Sequence, residues 1–239
     1  MRFPKPFLSG VALAAFIGQS YALAHATEVT AQAKVKFIGA AANSEHHSNE
    51  GVVLWLTPLD STPPARSAST TRSRPQLAQK NKQFVPHLMV VQTGSVVDFP
   101  NLDPFFHNVF SLFNGKRFDL GLYESGTSRS VHFDRPGVSY IFCNIHPEMS
   151  AVVVTVPTPY YATSSASGSL QIHDVAPGNY MMHVWAIGNS DANLAAIGRR
   201  VTISGSIVDL GTIALEESVP GPHKNKFGED YDAAKTSNY

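Results

Sequence analysis

The sequence is nearly free of cysteine, with Cys143 as the one thiol among 239 residues. A single cysteine cannot pair within its own chain, which excludes the disulfide framework that staples many small secreted domains. Three roles remain for Cys143. Cys143 could pack as a small apolar side chain in the core, form a disulfide with another chain, or bind a metal.

Net charge is also missing, because 18 Lys and Arg residues balance 18 Asp and Glu residues. This balance gives no basis for binding to nucleic acid or to an anionic membrane surface. Apolar runs long enough to span a bilayer are absent as well, since the run from Phe7 to Ile17 is too short.

That apolar run has the surroundings of a secretory signal peptide. It follows Arg2 and Lys5 and precedes the small-residue motifs A-L-A and A-H-A, which end at Ala24 and Ala26. We therefore predict a signal peptide over residues 1–24, with cleavage after Ala24 or Ala26. The protein is expected to be exported to the periplasm, with no membrane span in the mature chain.

Helical periodicity is almost absent from the rest of the chain. Short apolar or alternating runs lie between clusters of Gly, Pro, Asn and Ser, which predicts an all-β protein built from sandwiches or barrels. The predicted strands are Val29–Phe37, Gly51–Leu56, His87–Val91, Ser95–Phe99, His107–Phe113, Ser130–Phe133, Ser139–Cys143, Ala151–Val156, Ser169–Ile172, Tyr180–Ala186, Arg200–Ile203 and Ile207–Ala214.

Composition changes at two places along the chain. Residues 60–79 are rich in Ser, Thr and Pro, which predicts a flexible linker. Residues 217–239 are polar and lack a strand pattern, which predicts a mobile tail.

The stretch F-C-N-I-H-P-E-M-S-A combines three side chains that suit copper. Cys143 supplies a thiolate, His146 an imidazole and Met149 a thioether, on a short loop between two predicted strands. A blue-copper site needs two His and one Cys in a plane, with a weak axial Met. One loop cannot surround a metal, so the missing imidazole must come from a distant strand. His107, in N-L-D-P-F-F-H-N-V-F-S, is the candidate, and Asn108 beside it is expected to hydrogen-bond across to the ligand loop.

These residues resemble the cupredoxins, the type 1 blue copper proteins. The match includes C-N-I-H-P-E-M, H-N-V-F-S, Q-F-V-P-H and D-R-P-G-V-S-Y-I-F, and it extends over residues 80–157. The spacing Cys-x2-His-x2-Met is similar to the short-loop amicyanin branch and to exported plastocyanin-like proteins labelled as methylamine utilisation proteins. The resemblance implies a Greek-key β-sandwich with one copper ion, Cu⁺ or Cu²⁺, held by His107, Cys143, His146 and Met149.

The remaining strands resemble a second, smaller β-sandwich of the carboxypeptidase-regulatory-like type. Residues 158–216 look like its second half, and residues 27–59 look like its first half. If the two halves form one domain, the copper domain is inserted into it, at little cost in loop-closure entropy. The alternative is two sequential domains, with the N-terminal strands pairing elsewhere.

A site of two His, one Cys and one Met is full, because it leaves no open position for a substrate. Neither Asp103 nor Glu148 has a second acid placed for acid–base catalysis, so we expect no enzyme. The expected function is to carry single electrons to or from an unidentified redox partner protein. The ligand loop is expected at the end of the domain, with His146 exposed there and N-L-D-P-F-F forming part of a docking patch. The alternatives are a copper carrier or store, and an interaction module whose cupredoxin fold is structural.

Overall fold

The structure is a computed structural model that describes residues 29–38, 48–60, 73–112, 115–216, 226–227 and 229–230. The predicted signal peptide lies outside these residues, as do most of the predicted linker and most of the predicted tail.

The all-β prediction is confirmed, because strands dominate the described residues and one short helix accompanies them. The strands are β1 (Val29–Ile38), β2 (Val53–Pro58), β3 (Ala78–Lys80), β4 (Gln83–Val85), β5 (Leu88–Gln92), β6 (Ser95–Pro100), β7 (His107–Ser111), β8 (Phe118–Tyr123), β9 (Ser128–Phe133), β10 (Gly137–Phe142), β11 (Ser150–Val156), β12 (Tyr161–Thr163), β13 (Ser169–Val175), β14 (Gly178–Trp185), β15 (Arg199–Ile203) and β16 (Ile207–Glu216). The helix is α1 (Asp191–Ile197), capped by the Ser190 side chain, which accepts from the Asn193 N–H.

Strands β3 to β11 form what we call the site sandwich. Its larger sheet has the order β5-β11-β10-β7-β8, and β6 pairs with β9 in a smaller sheet. Alternating side chains of these strands fill a common core that includes Phe99, Val109, Phe133 and Ile141. Strand β10 lies between β11 and β7, and Phe142 at its end pairs with Phe110 of the antiparallel β7. The chain that follows Phe142 therefore runs towards the first residues of β7.

The end of the predicted linker is structured. The Leu77 N–H donates to the Asp98 carbonyl, and Ala78–Lys80 pairs with Gln83–Val85 as the hairpin β3–β4. Three-residue strands carry too little alternation to be recognised by pattern, so the sequence did not predict β3, β4 or β12. It also missed β8, where Gly121, at φ 66°, interrupts the strand pattern.

The remaining strands form two sheets, here called the paired-ends sheets, which join the two ends of the chain. Strand β1 is the middle strand of one sheet, antiparallel to β13 and parallel to β16. Strand β2 lies between β12 and β14 in the other sheet. The N-terminal strands therefore complete sheets whose other strands all follow the site sandwich in the sequence.

Strand β11 is buried on both faces and joins the two parts. Ala151 and Val153 pack into the core of the site sandwich, whereas Val152, Val154 and Val156 pack into the core of the paired-ends sheets. An uninterrupted apolar run is what a doubly covered strand requires. The second face of the sheet also contributes Leu88, Val90, Val138 and Tyr140 to this packing. One side of the site sandwich is thus covered by the strands from the chain ends.

Gly168 makes a close contact between the two ends of the chain. It has φ +79°, and an added Cβ would lie 2.3 Å from the carbonyl oxygen of Val35 on β1. We expect Gly168→Ala to lower the free energy of unfolding by about 1–3 kcal/mol from the left-handed backbone alone, with a further loss from the clash. The matched control is Gly205→Ala, because Gly205 has φ +81° and nothing within 4 Å of its added Cβ. Denaturant unfolding measures both variants, and equal losses would mean that the Val35 contact is not tight.

Candidate metal centre

Two adjacent strands and one loop bring the predicted ligands together. His107 opens β7, Cys143 directly follows β10, and His146 lies in the loop that leads to β11. The loop is closed by main-chain hydrogen bonds, from the Met149 N–H to the His146 carbonyl at 3.1 Å and from the Cys143 N–H to the Met149 carbonyl at 3.2 Å. The tight turn through Pro147 therefore holds the loop residues near His107 of the neighbouring strand.

The three donor atoms converge on one point. The Cys143 Sγ lies 3.8 Å from the His107 Nδ1 and 3.6 Å from the His146 Nδ1, and the two nitrogens are 3.1 Å apart. Exposed fractions are 0% for His107, 0% for Cys143 and 2% for His146. Within the described ranges, this is the one group of three or more His, Cys, Asp or Glu side chains with metal-binding geometry.

The spacing of these atoms fits a single first-row metal ion. Such an ion binds imidazole nitrogen at about 2.0–2.1 Å and thiolate sulfur at about 2.3 Å, so two of its ligands are at most about 4.1–4.4 Å apart. All three separations satisfy this limit. The donor set of one thiolate and two imidazoles suits copper.

The proton positions also suit a metal site. The His107 Nε2 lies 2.8 Å from the Asp103 Oδ2, and an ionised carboxylate only accepts, so this nitrogen carries the hydrogen. The Nδ1 of a neutral His107 then presents a lone pair to Cys143 and His146. Burial lowers the pKa of His107 although Asp103 acts to raise it. Burial, followed by the neighbouring His107, lowers the pKa of His146 to about 4.

Both imidazoles are therefore neutral near pH 7, which is the form that binds metals. Burial raises the pKa of the Cys143 thiol, against the effect of main-chain N–H groups that include that of Asn108. Without a metal the thiol keeps its proton, and metal binding has to release it.

Met149 lies in the same loop, with its side chain fully buried in the core that also contains Cys143. Its main chain hydrogen-bonds to Cys143 and His146, as described above. The prediction that its sulfur is an axial ligand stays a prediction.

Asn108 reaches the ligand loop in two ways. Its main-chain N–H contacts the sulfur of Cys143. Its side-chain Nδ2 donates to the Asp119 Oδ1 at 2.8 Å, and the Asp119 Oδ2 accepts from the Lys226 Nζ at 2.8 Å. The Lys226 N–H in turn donates to the Asn144 Oδ1 of the ligand loop. The side chain of Asn108 is thus linked to the loop through Asp119 and Lys226 rather than directly.

The expectation that His146 is exposed is wrong, because only 2% of the residue is accessible. Phe105 packs against it, with ring centroids 5.7 Å apart, and against His107 at 5.2 Å. The His146 Nε2 is buried and has no hydrogen-bond partner in the described part of the chain. Exposed apolar side chains do occur in the neighbouring loop, where Leu102 and Phe106 are 57% and 55% accessible.

His87 and His183, two histidines that the sequence analysis placed in predicted strands, have ordinary surroundings. The His87 Nδ1 lies 2.9 Å from the Ser150 carbonyl oxygen, and His183 stacks on Trp55 with ring centroids 5.0 Å apart. Sequence reasoning missed the contact of Asp103 with His107. The available signal was a carboxylate four residues before the predicted ligand.

Comparisons with known proteins give matches among solved structures. No family model and no curated protein matches the chain. A purple cupredoxin from Nitrosopumilus maritimus is 22% identical, with 34% of this chain and 98% of that chain covered, at a TM-score of 0.31. An amicyanin variant in its Cu(I) form is 17% identical, with 43% and 97% covered, at a TM-score of 0.33.

A copper-containing nitrite reductase from Thermus scotoductus SA-01 is 16% identical, with 51% of this chain and 28% of that chain covered, at a TM-score of 0.34. All three matches cover about half of this chain or less. The described residues contain no helix whose length and hydropathy would let it cross a membrane.

Proposed function

We propose that this chain is a type 1 copper protein that carries single electrons, with one copper ion bound by His107, Cys143, His146 and Met149. The observation that carries the proposal is the convergence of the two imidazole Nδ1 atoms and the Cys143 sulfur within 3.8 Å of one another. Copper bound there supplies a one-electron couple between Cu(I) and Cu(II).

The surroundings of the donors support a carrier rather than an enzyme. All four proposed ligands are at most 2% accessible, so the described part of the chain leaves no opening for a substrate beside the metal. The main-chain hydrogen bonds of the 143–149 loop and the Asp103 contact hold the donors in one arrangement. A fixed, dry ligand set lets an electron enter or leave with little rearrangement.

The apolar surface beside the site suits a redox partner protein. Leu102 and Phe106 are exposed on the loop that also carries Phe105, and Phe105 contacts both histidines. In this proposal the partner docks on that surface in the periplasm, and Phe105 and His146 separate it from the metal.

The alternatives are a copper carrier or store and an interaction module without copper. Voltammetry and chelator competition on the copper-loaded protein distinguish all three. We expect one reversible one-electron couple and retention of copper against a moderate chelator. Rapid loss of copper to the chelator would favour delivery, and failure to bind copper at all would favour the interaction module.

His107 provides a test of the long-range part of the site. We expect His107→Ala to abolish the normal visible spectrum and to weaken copper binding by more than the roughly 10–100-fold that loss of an outer partner costs, because a direct ligand is removed. Competition titration with a copper chelator measures the affinity. His87→Ala is the matched control, since His87 is exposed on the same sandwich and its ring hydrogen-bonds to a main-chain carbonyl. Equal affinities in the two variants would exclude His107 as a ligand.

A further inference from the structure

Asp103 is a buried carboxylate that contacts one of the proposed ligands. It is 4% accessible, and its Oδ2 lies 2.8 Å from the His107 Nε2. The type 1 copper proposal gives this residue no task, because it is neither a ligand nor part of the docking surface. A buried charge is costly unless it is fully hydrogen-bonded, so its surroundings indicate what it does.

A turn supplies the remaining hydrogen bonds of this carboxylate. The Asn81 N–H donates to the Oδ1 at 2.6 Å, and the Lys82 N–H donates to the Oδ2 at 2.9 Å. Asn81 and Lys82 connect β3 to β4, and each has φ 55°. The left-handed conformation is unfavourable for lysine, but here it directs two successive main-chain donors at the carboxylate.

The other side of the Asp103 loop is fixed as well. Asn101 is fully buried; its Oδ1 accepts the Asp103 N–H at 3.1 Å, and its Nδ2 donates to the Phe105 carbonyl at 2.7 Å. The Asn101 side chain therefore fixes the conformation of the loop from residue 101 to residue 105. Asp103 cannot move away from His107 without breaking bonds to both the hairpin and Asn101.

Every partner of the Asp103 carboxylate is a donor. An ionised carboxylate has no hydrogen to donate, so its third partner, the His107 Nε2, must carry the hydrogen. This requirement fixes which ring nitrogen is protonated and turns the free Nδ1 toward Cys143 and His146, 3.8 and 3.1 Å away. A histidine bound to a metal commonly has such a partner, and the partner raises the basicity of the ligand.

We propose that Asp103, held by the Asn81–Lys82 turn, is a positioning residue that fixes the tautomer of His107 and favours Cu(II) over Cu(I) in the site. The proposal rests on the proposed copper function. The negative charge would lie one imidazole ring from a copper ion held at the His107 Nδ1, in buried surroundings that screen it poorly. It would therefore attract Cu(II) more strongly than Cu(I). The chain thereby sets the reduction potential below the value that the ligands alone would give.

The test is the isosteric variant Asp103→Asn, with Asp134→Asn as the matched control. Asp134 is a surface carboxylate on the same sandwich, paired with Lys116, so the control removes the same charge away from His107. We expect at least a tenfold loss of Cu(II) affinity relative to Cu(I) in Asp103→Asn. For a one-electron couple this raises the reduction potential by at least about 59 mV. The visible band should persist, and the control should change neither quantity.

A second measurement needs no copper. Nitrogen-15 NMR of the metal-free protein reports which nitrogen of His107 carries the hydrogen. We expect the Nε2–H form in the wild type and a population of the Nδ1–H form in Asp103→Asn, because the new amide donates where the carboxylate accepted.

An Nδ1–H form in the wild type would overturn the proposal even if the variant failed to fold. An unchanged potential in a folded, copper-loaded variant would also overturn it. If the wild type bound no copper, the copper function would fail, while the tautomer would still decide whether Asp103 positions His107.

Discussion

Replacing Cys143 with serine is expected to abolish the intense visible absorption of the copper-loaded protein and to leave the β-strands in place. The absorption of a type 1 site arises from charge transfer between a cysteine thiolate and Cu(II), and Cys143 is the one thiol in the chain. Its sulfur is fully buried and lies within 3.8 Å of both imidazole Nδ1 atoms. Serine offers a harder oxygen that stays protonated, so it cannot replace the thiolate.

The cost of this change to the fold is modest. A buried hydroxyl in place of a thiol lowers the free energy of unfolding by about 1–3 kcal/mol, which the strand pairing on either side of Cys143 should tolerate. Met149→Leu is the matched control from the same loop. It keeps the volume of a buried side chain and removes only the proposed weak axial ligand, so the visible band should shift in position but remain intense. A Cys143→Ser protein that kept its band would show that the metal is bound elsewhere.

Deleting residues 27–59 is expected to unfold the segment from Pro159 to Leu215. The deletion removes β1, which lies between β13 and β16, and β2, which lies between β12 and β14. The strands that remain would lose the strands they pair with. Their core would also lose the buried side chains of Val35, Leu54 and Leu56. We propose that the two ends of the chain form one domain into which the site sandwich is inserted, and the predicted effect of the deletion follows from this proposal.

Limited proteolysis and circular dichroism measure the effect of this deletion. We expect rapid cleavage between residues 159 and 215, together with aggregation, because Val152, Val154 and Val156 would lose the side chains that cover them. Gly205→Ala in the intact chain serves as a mildly destabilised control. Protease resistance of the C-terminal segment that survived the deletion would mean that it folds without the N-terminal strands, as in the alternative of two sequential domains.

The strands and the donor trio were predictable because each has a local signal. Alternation and turn residues locate twelve of the sixteen strands, and the thiolate, imidazole and thioether of the 143–149 loop stand within seven residues. His107 was also predictable, since a site that closes on one loop needs a donor from another strand. The hairpin β3–β4 was not, because two three-residue strands in a Ser- and Pro-rich region show no periodicity.

What the sequence could not provide was the packing between distant segments. A short loop at the end of a domain predicts an exposed His146, but the ring of Phe105 lies against it. In the sequence Asp103 is an isolated acid. Its proposed role depends on the hydrogen bonds that the Asn81–Lys82 turn and His107 make to its carboxylate. The continuous apolar run A-V-V-V-T-V in β11 indicates a strand buried on both faces. It does not indicate which strands cover the second face.

The most direct test of the central claim is the visible spectrum of the full-length protein titrated with Cu(II). The account predicts one intense charge-transfer band that saturates at one copper ion per chain, disappears on reduction and returns on reoxidation. A protein that binds Cu(II) with only weak absorption, or that binds none, would contradict the assignment of His107, Cys143 and His146 as a type 1 copper site.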